Sequence, residues 1–169
     1  MIKPFLVATL FSLGFALFEA AILSNLLFLP VMPDFLLLCT LYFSVQNGTL
    51  FGTANGFMSG VFLDFLSASP FGLHCLLRTV LGYVGGRFHK TLNIGGVLLP
   101  MLLGLVATLL KALAIWLISL FFPLGIQTYH LISARFAAEL VCNAVLAPVT
   151  FRFLDMFARF TAVDMESVA

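Results

Sequence analysis

Six apolar runs, each closed by a turn signal or the start of a polar segment, leave this chain few ways to fold. They predict helices over residues 4–29, 35–45, 50–66, 71–88, 96–122 and 131–157. A bilayer-crossing helix needs about 20 apolar residues, fewer when it is packed inside a bundle. The second run is short and stops at Gln46-Asn47-Gly48, so the second and third runs read either as a re-entrant pair or as two full spans. Pro100 falls in the first turns of the fifth helix, where it is tolerated. Pro148 lies inside the sixth, where its ring displaces a backbone hydrogen bond and predicts a kink or a weak point.

Only 9% of the 169 residues are charged and 62% are hydrophobic. A water-facing domain carries about 25% charged residues, so this chain cannot clothe a soluble surface. The reading is an all-α integral membrane protein, a bundle of six transmembrane helices forming a single transmembrane domain over residues 1–169, with a short cytoplasmic tail at 160–169. The N-terminus begins like a signal peptide, but its apolar run continues to about Leu29 and reads as a retained first helix.

Six spans put both termini on one side. Lys3, Arg87, Lys90, Arg152 and Arg159 fall on that side, whereas the opposite loops hold Asp34 and no Lys or Arg. Positive charge marks the cytoplasmic face, so both termini are expected in the cytoplasm. Trp116 and Tyr129 then lie toward the outer interface and Tyr83 toward the inner one.

Two of the runs carry glycine at helical spacing. Gly52, Gly56, Gly60 and Asp64 recur every fourth residue, and after Ser67-Ala68-Ser69-Pro70 so do His74, Arg78, Gly82 and Gly86. Residues four apart share a helix face, and small residues there let backbones approach closely in lipid. The stripes predict a tight helix pair, with a buried Asp64–Arg78 contact near one membrane face. Each stripe serves either internal packing or the docking of a partner helix.

Glu19, Asp64, Arg78, Lys111, Arg135 and Glu139 all fall within the predicted helices. Even modest insertion scales charge about 2.5–3.5 kcal/mol for a central Asp, Lys or Arg, so six unpaired groups would be hard to carry. Three are acidic and three basic. They predict a buried network beneath the outer face, with Arg135 and Glu139 four apart and able to bond directly. The network admits three uses: fixing helix register, lining a ligand cavity open to the outside, or forming a polar docking face. In the cavity reading, Asp64, Arg78 and Glu139 line the pocket.

Other chemistries find little support. A net charge of +1 with no basic run argues against nucleic acid. Cys39, Cys75 and Cys142 have neither CxxC nor metal spacing and read as core residues. His74 reads as an interface residue near a turn, and His89 and His130 as loop residues. There is no Walker, HExxH or GxSxG sequence, and with Asp155 at the cytoplasmic end of the sixth run, Asp64 is the only aspartate placed within the bilayer. No enzyme activity, metal or cofactor is expected.

The central stretch resembles the rod shape-determining MreD family of bacterial inner-membrane proteins. The matching residues are Pro33-Asp34 opening an apolar helix, then Gly52, Gly56-Phe57, Gly60 and Asp64, then Phe71-Gly72-Leu73, Gly82-Tyr83 and Gly86. The family often has a basic residue after its second helix, where this chain has Gln46-Asn47-Gly48-Thr49. The resemblance implies a non-enzymatic component of the elongation machinery that supports lateral peptidoglycan synthesis. It implies association with MreC and, through it, with MreB, RodA and a class-B penicillin-binding transpeptidase, all at the inner membrane. The family is also similar to the substrate-binding subunits of energy-coupling-factor transporters, which have six helices and an outward cavity. A small-solute transporter subunit is therefore the alternative reading, and a lipid-precursor transporter a third.

Overall fold

A computed structural model describes residues 2–21, 31–67, 69–89, 91–92, 96–121 and 133–162. Its elements are α1 (Ile2–Ala21), α2 (Phe35–Asn47), α3 (Thr49–Leu66), α4 (Leu73–Arg87), α5 (Leu98–Phe121), α6 (Ala134–Asp155) and the single turn α7 (Ala158–Thr161). Each apolar run of the sequence holds one of the first six. The expected continuation of α1 to residue 29, residue 122 of the fifth helix, residues 131–132 of the sixth, Lys90 and Tyr129 lie outside the described residues. The tail expected from residue 160 instead begins inside α7, which buries Thr161 and packs on α1.

Three helices, Ile2–Ala21, Leu98–Phe121 and Ala134–Asp155, are long and apolar enough to cross a membrane. Of the shorter helices, α2 is apolar but has only 13 residues, about 20 Å of rise. Every residue of α2 from Leu36 to Val45 is buried, Thr40 and Ser44 included, as expected of a helix that is apolar on most of its circumference. The core gathers on it: Leu37, Leu38, Leu41, Tyr42 and Phe43 pack with Ala8 of α1, Phe51 of α3, Leu81 of α4, Ala107 of α5 and Phe151 of α6. Helix α6 runs unbroken through Pro148. Ending it there would strand backbone groups in an apolar setting, a larger cost than one lost hydrogen bond.

The closest helix pair is α3–α4, followed by α5–α6. Helices α2 and α3 are joined by Gly48 alone, at φ 89°, a conformation L side chains rarely adopt. The glycine stripes of α3 and α4 face each other. A Cβ on Gly52 would lie 2.5 Å from the Gly82 carbonyl oxygen. One on Gly56 would strike the Arg78 carbonyl, one on Gly60 the Cys75 backbone, and one on Gly86 would meet the Thr49 Cα at 2.5 Å. Both stripes are covered within the chain, so neither offers a bare face to a partner helix. At the end of the pair away from the α3–α4 turn, His89 Nδ1–H donates to the Val45 carbonyl at 2.9 Å, closing the C-terminus of α2.

Candidate functional site

The polar centre of the molecule is built on the first turn of α2. Asp34 is its N-cap, and the Asp34 carboxylate accepts the Leu37 N–H at 2.8 Å. The same carboxylate takes Arg78 Nη2 of α4 at 2.6 Å and Lys111 Nζ of α5 at 2.9 Å. Lys111 Nζ also donates to Glu139 Oε1 of α6 at 2.8 Å. The Asp34 backbone N–H donates to Asn143 Oδ1 of α6 at 2.9 Å, and Asn143 Nδ2 donates to Thr108 Oγ1 of α5 at 3.0 Å. From α1, Glu19 Oε1 accepts the Leu36 N–H at 2.7 Å. Two carboxylates from different segments thus meet the positive end of the α2 dipole.

Burial raises the stakes of every one of these contacts. The Arg78 side chain is 3% exposed, and Asp34, Glu139 and Lys111 are 10–13% exposed. The site also lies deep. Asn143 is nine residues past the first residue of α6, about 14 Å along its axis. Lys111 lies near the middle of α5. A lesser polar seam joins the other helices: the Ser12 hydroxyl of α1 is 3.2 Å from Asn55 Oδ1 of α3, and Thr40 of α2 is 2.9 Å from Ser59 of α3. Polar contacts of this kind hold helices together in lipid.

The structure departs from the expected pairings in two places. Asp64 does not meet Arg78. Its carboxylate accepts the N–H groups of Gly72 at 2.9 Å, His74 at 3.0 Å and Cys75 at 3.1 Å. The cause is local: Asp64 ends α3, and the turn brings the unpaired N–H groups of α4 directly to it. Arg78 lies farther along α4 and turns inward to Asp34 instead. Asp64 is thus spent on the α4 backbone, outside the ion pairs that hold Arg78 and Glu139. Likewise, no described contact joins Arg135 to Glu139. Arg135 is exposed in the first turn of α6, whereas Glu139, one turn deeper, is buried and faces Lys111.

Glu19, Arg78, Lys111 and Glu139 do come together, around a residue absent from the predicted network. Asp34 was expected in an outer loop, yet it organises the cluster. Its signal was its place directly before a strongly apolar helix, where Asp is a favoured N-cap. Asn143 and Thr108 gave no signal, being neutral polar residues in an apolar run. Among the described residues no His, Cys, Asp and Glu group could hold a metal ion. What this arrangement can do is fix helix positions and present charge, with no activated nucleophile beside a base.

A family model described as rod shape-determining protein MreD matches residues 1–157. No curated protein and no solved structure matches the chain.

Proposed function

The chain belongs to the MreD family of rod shape-determining proteins, and on that premise we propose that it is a non-enzymatic scaffold of the bacterial elongation machinery in the inner membrane. It works by occupancy: it binds MreC, and through MreC holds MreB, RodA and a class-B penicillin-binding transpeptidase at sites of lateral peptidoglycan synthesis. Six helices cross the bilayer in this reading, with both termini in the cytoplasm. The family match over residues 1–157 carries the proposal. The buried cluster supports it physically, because its ion pairs tie α4, α5 and α6 to the start of α2, as a rigid docking body requires.

Since the glycine stripes are spent on each other, partner contact falls to the outward faces of other helices. Leu6, Leu10 and Leu17 of α1 and Leu98, Leu113 and Leu120 of α5 are exposed apolar side chains that lipid or a partner helix must cover. The test is depletion in the rod-shaped host with cell width followed by microscopy, together with cysteine crosslinking along α1 and α5. Rounding cells and crosslinks to a single-span partner are expected. Unchanged width with a new nutrient requirement would overturn the scaffold and favour a substrate-binding subunit of a small-solute transporter.

A further inference from the structure

Beside the first turn of α2, buried Arg78 and half-buried Glu19 each keep an atom outside the hydrogen bonds described above. Arg78 Nη2 is spent on Asp34, but Nη1 is buried with no partner. Glu19 Oε1 is spent on the Leu36 N–H, and no described hydrogen bond reaches its Oε2. Both side chains converge on the first turn of α2, one at Asp34 and the other at Leu36. A guanidinium nitrogen sealed from solvent without an acceptor is costly in any fold, and calls for an occupant.

Charge narrows the choice of occupant. Arg78 Nη1 is a cationic donor that lacks an acceptor, whereas Glu19 offers a carboxylate oxygen. A bare anion on Nη1 would set its charge beside the carboxylates of Asp34 and Glu19. A bare cation on Glu19 would leave Nη1 unpaired. We propose that Arg78 and Glu19 form a binding site for a zwitterionic polar group, an anionic oxygen on Arg78 Nη1 and a primary ammonium on Glu19 Oε2. A phosphoethanolamine lipid headgroup and a small free solute of the amino-acid type share this chemistry. The proposal is independent of the scaffold reading, and either can fail alone.

Glu19→Gln is the discriminating variant. Its amide oxygen still accepts the Leu36 N–H, so the cap is kept, while the carboxylate that would hold an ammonium is gone. The full chain, delipidated in detergent, is titrated by native mass spectrometry with phosphatidylethanolamine, phosphatidylcholine and phosphatidylglycerol. The same protein is heated with O-phosphoethanolamine or glycine. A lipid occupant predicts phosphatidylethanolamine binding about tenfold tighter than either other lipid, with E19Q abolishing the preference. A free solute predicts a rise in Tm with the soluble probes in the native chain and none in E19Q. Should E19Q fail to fold, Arg78→Lys carries the test, since it keeps a cation for Asp34 and removes Nη1. Equal retention of all three lipids with no solute shift overturns the proposal and leaves the spare atoms to water.

Discussion

Asp34 shows how far one side chain can govern a membrane core. It caps α2 and neutralises both Arg78 and Lys111. Asp34→Asn keeps the cap acceptor but removes the charge, leaving two buried cations to share Glu139 and Glu19. Breaking one partner of a buried ion pair costs about 3–5 kcal/mol, and a loss of that order is expected in thermal unfolding of the detergent-solubilised chain. Replacing Asp34 and Arg78 together by neutral residues should cost less than the sum of the two single changes, which a double-mutant cycle would read directly. At this scale the sequence was only half legible. That buried charges must pair followed from the scarcity of charge. Which acid met which base depended on where α2 begins in space, and a loop aspartate and a capping aspartate look alike until that is known.

At the scale of the element, the glycine spacing carried the most structural information. It implied that α3 and α4 pack closely, and their backbones do touch along both stripes. Gly56→Ala places a Cβ against the Arg78 carbonyl, and backbone cannot swing aside as a long side chain can. This variant should unfold at a clearly lower temperature than the native chain. Gly14→Ala on α1, where a Cβ would meet nothing within 4 Å, should leave the melting temperature unchanged or raise it slightly. Asp64→Ala strips α4 of its borrowed cap and should cost about 0.5–2 kcal/mol in the same assay, less than the loss at Asp34. The helices themselves were readable because apolar runs and turn residues alternate so plainly. The pairing of Asp64 was not, because an acid at helical spacing from glycines also lies beside a turn, and the turn decided its partner.

For the whole molecule, the prediction is one of separable function. A chain carrying Arg135→Gln, altered at an exposed charge away from the cluster, should restore rod shape to depleted cells; one carrying Asp34→Asn should accumulate less and fail to restore it. Microscopy with an immunoblot for protein level distinguishes lost stability from lost docking. Membrane residence was evident from charge content alone, whereas the order of helices around α2 emerged only from three-dimensional contacts. The direct backbone contact between α3 and α4 also has a mechanical meaning. Side chains can change rotamer and let two helices slide; facing glycines have none to change. The pair is fastened at one end by Asp64 and tethered to α2 at the other by His89. It behaves as a single stiff beam, braced against α5 through Asp34, whose carboxylate takes Arg78 of the beam and Lys111 of α5 at once.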